Sequence, residues 1–253
     1  MTPDVSAPFD VVVLAGGLGT RLRPVVGGTP KILAPVMGVP FLDCLLVWLK
    51  SGGARRVIFA LGHGAEAVRT VLSARVETGL DVVVSVEPFQ MGTGGAVALA
   101  ADQLLSDTVV VVNGDTWLDV SLADLVADHR RLGTDMSIVC TEVADVARFG
   151  GVEVNGDGRV VAFRERGGHS GAGLIHAGIC VMSAARAQAL PRDQVFSLEK
   201  DYFEPACRQG RQVGAICRPM ATFIDIGTPD SYGVAPVILA GLVAQVGVDG
   251  LPR

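Results

Sequence analysis

The feature that most constrains the fold is an alternation of short apolar runs with helix-like stretches in the first half of the chain. Val, Ile and Leu dominate four runs: Asp10 to Leu14, Arg56 to Leu61, Asp81 to Val86 and Thr108 to Val112. Continuous apolar strands are typical of a parallel sheet that helices cover on both faces. The alternation therefore predicts βαβ units and an α/β fold.

The segments between these runs have helical periodicity. The leucines from Leu42 to Leu49 follow the i, i+3, i+4, i+7 spacing that places apolar side chains on one helix face. Gly52-Gly53 then closes that helix. Similar helices are expected over Ala65 to Val76 and over Thr93 to Leu105.

After about Thr134 the runs become shorter and are joined by turn sequences such as Asn155-Gly156-Asp157-Gly158. This half is expected to be an antiparallel elaboration of one compact domain. Helices are expected to begin at Ser197 and at Thr228-Pro229, with Thr as N-cap and Pro in the first turn. The expected strands are Ser137 to Glu142, Gly151 to Val154, Arg159 to Arg164 and Leu174 to Met182.

The composition is that of a globular protein with few charges. Of the 253 residues, 49% are apolar and 19% are charged, which is enough apolar material for a sizeable core. Lys and Arg number 21 against 26 Asp and Glu, so the net charge is -5. An acidic chain is poorly suited to wrapping nucleic acid or to lying on an anionic membrane, and neither is expected as a partner.

The cysteines and the two ends of the sequence indicate in which cellular compartment the protein is expected. The 5 scattered cysteines lack metal or redox spacing and are expected to be buried thiols in a reducing cytoplasm. Met1 to Asp10 has neither the basic nor the apolar region of a secretory signal. The apolar tail from Val234 to Val248 is interrupted by Pro236 and is shorter than the ~20 residues of a membrane span. It suits a packed terminal helix or a subunit contact in a homo-oligomer.

The strongest local signal is the glycine-rich run Ala15-Gly16-Gly17-Leu18-Gly19-Thr20-Arg21-Leu22, directly after the first predicted strand. Glycines let successive backbone N–H groups turn toward a phosphate, and Arg21 adds a planar fork of donors. The run lacks the Lys of a Walker loop, and Leu22 occupies the third glycine position of a dinucleotide fingerprint. An ordinary strand-to-helix turn is the alternative.

Three charged residues lie on otherwise apolar stretches. Lys31 follows Pro30, and a buried ammonium needs an anion beside it. Asp115 follows a strand, at the sheet edge where ligands of α/β proteins collect, and Asp225 lies inside an apolar strand. Two carboxylates suit Mg²⁺, which takes one or two from a protein. The alternatives are a surface lysine, a helix cap for Asp115 and an arginine partner for Asp225.

Further polar candidates follow later strands. Glu87 precedes the glycine run at Gly92, which allows a flat ligand to approach the backbone; a loop with Thr93 as N-cap is the alternative. Glu165-Arg166 ends one strand, and His176 lies in another, where a histidine is more often a core residue than a ligand. Aromatic residues, at 5%, are too few for a nucleic-acid stacking platform.

Taken in this order, the motifs resemble the sugar-1-phosphate nucleotidyltransferase family from about Val11 to Tyr232. Within it, the glycine run, the Asn-Gly-Asp-Thr run and the Phe223 to Tyr232 ending are most similar to D-glycero-D-manno-heptose 1-phosphate guanylyltransferases. The resemblance rests on Gly16-Gly17-x-Gly19-Thr20-Arg21-Leu22, Pro30-Lys31, Gly92-Thr93-Gly94, Asn113-Gly114-Asp115, Phe149-Gly150, Phe163-x-Glu165 and Asp225-x-Gly227.

The resemblance implies an enzyme that joins a nucleoside triphosphate to a sugar 1-phosphate and releases pyrophosphate, with GTP, a heptose 1-phosphate and Mg²⁺ as the expected substrates and cofactor. It implies a Rossmann-like, mostly parallel mixed sheet flanked by helices, with a small antiparallel lobe. Residues 1–253 would form a single domain, with a nucleotide-binding half over 10–133, a sugar-phosphate-binding half over 134–233 and a tail helix over 234–253.

The family's residue roles carry over by position. Arg21, Lys31, Asp115 and Asp225 would be catalytic, with both aspartates as metal ligands. The nucleotide would contact Leu14, Ala15, Gly16, Gly17, Gly19, Thr20, Glu87, Gly92 and Thr93. The sugar phosphate would contact Asn113, Gly114, Gly150, Glu165, Arg166, His176 and Gly178.

The chain departs from the family pattern near the expected sugar phosphate. Gln90-Met91 replaces a frequent Pro-Leu, Arg166 replaces Lys, and His176 replaces Asn. Three other functions stay open: uridylyl or guanylyl transfer to a hexose or amino-sugar phosphate, a non-catalytic nucleotide-sugar sensor, and a dinucleotide-dependent oxidoreductase. The charged residues Arg21, Lys31, Asp115 and Asp225 argue against a sensor, which has no need of them. Leu22 in place of the third fingerprint glycine argues against an oxidoreductase. Glu87 suits guanine, whereas backbone groups would read uracil or thymine equally well.

Overall fold

A computed structural model describes residues 8–75, 79–168 and 170–246. Its centre is a sheet of seven strands. From one edge to the other, these are β12 (Val213–Cys217), β8 (Met136–Val143), β11 (Gly173–Ser183), β6 (Thr108–Asn113), β1 (Asp10–Ala15), β4 (Arg56–Leu61) and β5 (Asp81–Val86).

The sheet is mixed but mostly parallel, as the family resemblance implied. β1 pairs in parallel with β4 and β6, β4 with β5, and β12 with β8. Only β11 runs the other way among the strands of this sheet, because it is antiparallel to both β6 and β8. The four apolar runs of the first half are thus confirmed as neighbouring parallel strands.

Three two-stranded antiparallel sheets accompany the main sheet: β2 (Pro35–Val36) with β3 (Val39–Pro40), β7 (Thr116–Leu118) with β13 (Phe223–Asp225), and β9 (Val152–Val154) with β10 (Val160–Phe163). The hairpin turn predicted from Asn155 to Gly158 joins β9 to β10, and the Gly158 N–H donates to the Asn155 carbonyl (3.1 Å). The second half is only partly an antiparallel lobe, because its β8, β11 and β12 extend the main sheet.

The helices are α1 (Arg23–Val26), α2 (Phe41–Ser51), α3 (Ala65–Ser73), α4 (Gly92–Ala100), α5 (Leu122–Leu132), α6 (Ala184–Gln188), α7 (Glu204–Arg208), α8 (Pro229–Ile238) and α9 (Ala240–Val246). The predicted glycine closure of α2 is confirmed. Gly53 has φ of 95°, its N–H donates to Lys50 O, and that of Ala54 donates to Leu49 O.

Two predicted helices differ from the structure at their ends. α3 is shorter than expected, and Val76 lies outside the described residues. α4 begins at Gly92 and gives way after Ala100 to a 3-10 turn. Thr93 is not its N-cap, because the Thr93 hydroxyl accepts from the Leu198 N–H (2.9 Å) instead.

Both faces of the sheet are covered, and the alternation of side chains along β1 shows how. Val11 and Val13 belong to a core with α2, α3, α5 and α8, whereas Val12 belongs to a second core with α4, α6 and α7. All three valines are fully buried. Strands buried on both faces explain why their sequence is continuously apolar.

The tail is two helices rather than one. Thr228 caps α8 in a capping box with Ser231, as the Thr-Pro start predicted, and α9 follows a break at Leu239. The tail residues 247–253, and the N-terminal residues 1–7 used to judge a signal sequence, lie outside the described chain. No helix in the described part is long and apolar enough to cross a membrane.

The expectation of buried thiols holds for three of the five cysteines. Cys44, Cys140 and Cys180 are buried. It is wrong for Cys207 and Cys217, which are half-buried because one lies on the short α7 and the other at the end of the edge strand β12. All five are free thiols.

Candidate active site

A cavity of about 310 Å³ opens where β1 and β6 end and β5 has just ended. This is the carboxyl edge of the parallel strands, the usual ligand edge of an α/β sheet. All the predicted nucleotide-binding residues except Thr20 line it. The lining consists of Leu14, Ala15, Gly16, Gly17, Gly19, Lys31, Ile32, Glu87, Gln90, Gly92, Thr93, Ala96, Asn113, Gly114 and Asp115.

The glycines of the loop serve different purposes. A Cβ on Gly16 would collide with the Glu87 carboxylate and lie 3.2 Å from Gly62 N. A Cβ on Gly114 would lie 2.8 Å from Leu14 O. Gly17 has open space instead, with no atom within 4 Å of a Cβ position. The loop is therefore packed tightly at its base and open to a ligand at Gly17.

Thr20 and Arg21 lie outside the cavity lining. Both are exposed, and Arg21 forms no ion pair within the described chain. The helix that follows, α1, has only four residues. The expected contribution of a helix N-terminus to phosphate binding is accordingly small, and the guanidinium of Arg21 is the stronger anion-binding group here.

Lys31 has the anion that its apolar surroundings predicted. Its Nζ lies 2.5 Å from Oδ2 of Asp115, and the two side chains are 19% and 23% exposed. Lys31 begins a 3-10 turn between Pro30 and Ala34, while Asp115 follows β6. The pair closes one side of the cavity floor.

Asp225 lies beside this pair. It is opposite Thr116 in the β13–β7 register, and the Ile226 N–H donates to the Asp115 carbonyl (2.9 Å). Burial and the negative charge of Asp115 raise the pKa of Asp225, against the opposing effects of Arg148, the Gly227 N–H and Lys31. The two carboxylates therefore face one another.

Asp225 also has the arginine partner that was its alternative interpretation. Nη2 of Arg148 lies 3.1 Å from Asp225 Oδ2 and 3.2 Å from Ser231 Oγ. The guanidinium carbon lies 4.7 Å from the centre of the Phe149 ring. The result is a row of four charges in the order Lys31, Asp115, Asp225, Arg148.

The donor set of this row fits Mg²⁺. The described residues hold no group of three or more His, Cys, Asp and Glu side chains placed to ligate a metal. Mg²⁺ does not need one, because it uses one or two carboxylates and fills its octahedron with water and phosphate oxygens. Asp115 and Asp225, two hard oxygen ligands that repel one another, are the residues that could hold it.

Glu87 has a structural contact in addition to its place in the cavity. Its Oε2 accepts from the Met91 N–H (2.8 Å) at the start of α4. Burial raises the pKa of Glu87, and the Met91 hydrogen bond opposes that shift. Glu87 therefore joins the phosphate-type loop at Gly16 to the glycine run at Gly92.

A second cavity, of about 290 Å³, is lined by Phe149, whose ring Arg148 contacts. Of the predicted sugar-phosphate residues, Gly150, Glu165 and Arg166 line it. Asn113 and Gly114 line the first cavity instead. The full lining is Phe149, Gly150, Gly151, Val152, Phe163, Arg164, Glu165, Arg166, Glu199, Lys200 and Glu204.

His176 and Gly178 lie on β11 between the two cavities. The Nδ1 atom of His176 is 3.6 Å from Glu199 Oε1, and its Nε2 is 3.2 Å from the Ile179 carbonyl. Gly178 has φ of 70°, and a Cβ there would lie 2.6 Å from Asn113 Nδ2. The predicted site residues thus converge on one region but divide between two cavities.

The profile of the nucleotidyl transferase family matches residues 10–239. The chain belongs to this family. Its N-terminal Gly16 loop, both cavities and the four-charge row all fall within the matched range.

Named relatives of this nucleotidyl transferase include guanylyltransferases. The chain is 34% identical to D-glycero-alpha-D-manno-heptose 1-phosphate guanylyltransferase of Aneurinibacillus thermoaerophilus, over 88% of this chain and 95% of that one. It is 32% identical to mannose-1-phosphate guanylyltransferase of Mycobacterium tuberculosis, over 88% of this chain but 62% of the relative.

A solved structure agrees with the fold of the nucleotidyl transferase. HddC from Yersinia pseudotuberculosis superposes with a TM-score of 0.80 at 34% identity, covering 90% of this chain and 98% of that one. The same protein has been solved in complex with GMP-PN.

The sequence patterns missed three charged residues that line the second cavity or contact its lining. Arg148 directly precedes the Phe149-Gly150 motif, and this position was the signal that could have found it. Glu199 and Lys200 lie in the first turn after the helix start expected at Ser197. Burial raises the pKa of Glu199, but His176, Arg166 and Lys200 together lower it below its ordinary value.

Proposed function

We propose that this nucleotidyl transferase joins GTP to D-glycero-D-manno-heptose 1-phosphate, giving GDP-heptose and pyrophosphate. One observation carries the proposal: Lys31 and Asp115, at one end of the row, line the first cavity, and Arg148, at its other end, contacts the ring of Phe149, which lines the second. The choice of GTP and the heptose is supported by the relative that matches this chain over 95% of its own length.

The reaction needs no general base. An oxygen of the sugar 1-phosphate attacks the α-phosphorus of the nucleotide, and the bond to the pyrophosphate oxygen breaks in line with it. A phosphate monoester is already ionised at neutral pH, so the attacking oxygen carries no proton to remove. Catalysis consists of bringing two anions together and stabilising the charge of the transition state.

The chain's own groups do this in the following way. The backbone N–H groups from Gly16 to Thr20 hold the triphosphate around the open space at Gly17. Arg21 binds the departing pyrophosphate. Lys31 turns from Asp115 toward the phosphates at the reacting centre. The Glu87 carboxylate accepts from the N1–H and the amino group of guanine, while its Oε2 also accepts from the Met91 N–H.

Asp115 and Asp225 would hold Mg²⁺, which when bound would neutralise part of the phosphate charge. Arg148 opposes the rise in the pKa of Asp225 and holds its carboxylate in place. In the second cavity, Gly150, Glu165 and Arg166 contact the sugar phosphate, with His176 and Gly178 at its edge. Residues 10–133 thus bind the nucleotide and residues 134–233 the sugar phosphate. The five free cysteines suit an enzyme of the reducing cytoplasm.

The test is pyrophosphate release with Mg²⁺ across five nucleoside triphosphates and the 1-phosphates of heptose, mannose, glucose and N-acetyl sugars. Turnover with GTP and the heptose phosphate, exceeding every other pair in kcat/KM, is expected. A preference for mannose 1-phosphate would replace the sugar, in line with the second relative. Bound nucleotide without turnover in any pair would instead support the sensor. The Asp115→Ala protein corrects for contaminating pyrophosphorylases.

A further inference from the structure

The second cavity contains equal numbers of acidic and basic side chains. Glu165, Glu199 and Glu204 face Arg164, Arg166 and Lys200 in its lining. A neutral set of this kind binds a phosphate dianion only if some of its cations have donors that are not already used by its carboxylates. Phosphate binding therefore depends on which cation of the lining has no carboxylate partner.

Both arginines have a carboxylate partner. Arg164 forms an ion pair with Glu153, outside the cavity lining. Nη2 of Arg166 lies 3.8 Å from Glu199 Oε2, and its Nε donates to the Phe149 carbonyl (3.3 Å). These contacts hold the guanidinium groups at the cavity wall.

Two of the three acids in the lining have other partners. Glu199 lies between Arg166 and His176, and Glu204 pairs with Arg208 (3.2 Å). Within residues 8–75, 79–168 and 170–246, the ammonium of Lys200 has no carboxylate within 4 Å and no hydrogen bond. Its backbone N–H donates to Ser197 Oγ (3.3 Å). Lys200 is thus the cation of this cavity lining that has no carboxylate partner among the described residues.

The positions of the three lysines in the sequence support a ligand-binding role for Lys200. The sequence has three lysines, Lys31, Lys50 and Lys200, among 21 basic residues. Two of the three line the two cavities, and Lys50 is exposed at the end of α2. Lysine provides a compact charge with three donors on a flexible stem, which can follow a phosphate during a reaction better than a fixed guanidinium fork.

The segment that carries Lys200 is attached to the nucleotide cavity. The Leu198 N–H donates to Thr93 Oγ1 (2.9 Å), and Phe196 exchanges backbone hydrogen bonds with Met91 and Gly94 (3.1 and 3.0 Å). Thr93 lines the first cavity while Lys200, two residues beyond Leu198, lines the second. These bonds attach the backbone of the segment that carries Lys200 to the wall of the first cavity.

We propose that Lys200 binds the phosphate group of the sugar 1-phosphate in the second cavity. This inference rests on the nucleotidyl transfer proposed above and adds a phosphate-binding residue to it. Arg166, held by Glu199 and by Phe149 O, contacts the sugar phosphate from the cavity wall, and Lys200 supplies a second, mobile charge.

The experiment compares Lys200→Met with Lys50→Met, which removes the one lysine outside both cavities. Each KM is measured by pyrophosphate release with the other substrate saturating. For Lys200→Met, the KM for the sugar 1-phosphate is expected to rise about 10- to 100-fold, the effect of losing a charged hydrogen bond. Its KM for the nucleotide should stay within about twofold. Lys200→Arg, which retains the charge, should recover most of the loss, and Lys50→Met should match the wild type.

An unchanged KM for the sugar phosphate in Lys200→Met, with an active wild type, overturns the inference and leaves the proposed function standing. Equal increases in both KM values, with a lowered melting temperature, overturn it as well, because they indicate a structural role through the Thr93 contact. A wild type that turns over no substrate pair refutes the proposed function and this inference together.

Discussion

At the scale of single residues, the row Lys31, Asp115, Asp225, Arg148 places its two negative charges in the middle. Lys31 compensates one carboxylate and Arg148 the other, but the carboxylates still repel one another, and Asp115 contributes to the raised pKa of Asp225. A divalent cation between them would remove this repulsion. It would also weaken the hold of Asp115 on Lys31, so that the ammonium could reach a phosphate. The four charged side chains therefore reach their working arrangement only when substrates and cation are bound.

Replacing Asp115 by Ala is expected to lower kcat a few hundredfold, the usual effect of removing one charged group that stabilises a transition state (~3 to 4 kcal/mol). Asp119→Ala is the matched control, since Asp119 is an exposed acid four residues along the chain. Because Lys31 is 19% exposed, its unpaired ammonium can be hydrated, and the melting temperature should fall by only a few degrees. Pyrophosphate release and thermal unfolding measure both. A kcat close to that of Asp119→Ala would remove Asp115 from the reaction.

Sequence patterns could predict that Lys31 needs an anion, because this follows from its immediate apolar surroundings. They could not pair Arg148 with Asp225, which is 77 residues away. That contact depends on where the strand β13 lies against β7. A pattern within one segment contains no information on which distant segment lies beside it.

At the scale of elements, the start of α4 and the segment from Phe196 to Leu198 form one unit between the cavities. A Cβ on Gly94 would overlap the ring of Phe196, and a Cβ on Gly92 would lie 2.5 Å from Phe196 O. Packing against Phe196 therefore requires glycine at these positions, in addition to the close approach of a ligand that glycine permits. This is why Thr93 is not an N-cap, since its hydroxyl is used by the neighbouring segment.

Gly94→Ala is expected to destabilise the fold by ~1 to 3 kcal/mol through overpacking against Phe196. Displacement of Gly92 and Thr93 should also raise the KM for the nucleotide several-fold. Gly156→Ala is the control, because a Cβ there has no atom within 4 Å. Urea unfolding and steady-state kinetics give the two quantities. If Gly94→Ala and Gly156→Ala have the same stability, this packing argument is wrong.

The contact between α5 and β8 predicts a pH dependence of stability. His129 is buried, its Nδ1 lies 2.9 Å from Ser137 Oγ, and burial with the Arg130 charge lowers its pKa to about 4, against a weaker effect of Asp135. Between this value and 6.5 the unfolded chain binds the proton that the folded chain excludes. The stabilisation is therefore present above pH 6.5 and is lost as the pH falls toward 4.

Between pH 7 and pH 5, the wild type is expected to lose ~2 kcal/mol more free energy of unfolding than His129→Gln, from the 1.36 kcal/mol per pKa unit. Urea titrations at the two pH values measure this difference. The exposed His63→Gln should behave as the wild type. A wild type and His129→Gln that lose the same free energy would contradict the assignment.

The elements themselves were predictable where burial fixes the sequence. The parallel strands have nearly continuous apolar cores because helices cover both faces of the sheet, so each was found within a residue or two of its observed bounds. In the second half, β8 to β11 and the turn between β9 and β10 were also found, but the strand β12 and the pairing of β8 and β11 with the main sheet were not. Nothing in the sequence of β11 shows that it inserts between β8 and β6 rather than joining the β9–β10 hairpin.

At the scale of the whole molecule, this insertion joins the two proposed halves. β11 belongs to residues 134–233 and β6 to residues 10–133, and five residue pairs connect them in antiparallel register. One core contains Val13, Ile179 and Ile216, and the other contains Val12, Met136 and Ala187, so both cores draw on both halves. Neither half can lose its packing without exposing the other, and a single cooperative transition is expected.

A nucleotide bound in the first cavity should raise the temperature of this transition as a whole. The cavity is built from the ends of β1 and β6 and the start of α4, all of them attached to the common cores. At 100 times its Kd, GTP with Mg²⁺ adds ~2.7 kcal/mol, or about 5 to 10 °C for a chain of this size. ATP at the same concentration should give a smaller shift if Glu87 recognises guanine. Calorimetry distinguishes the outcomes: two separated transitions, of which GTP moves only one, would show that the halves are independent units, and equal shifts with ATP and GTP would show that the cavity does not read the base.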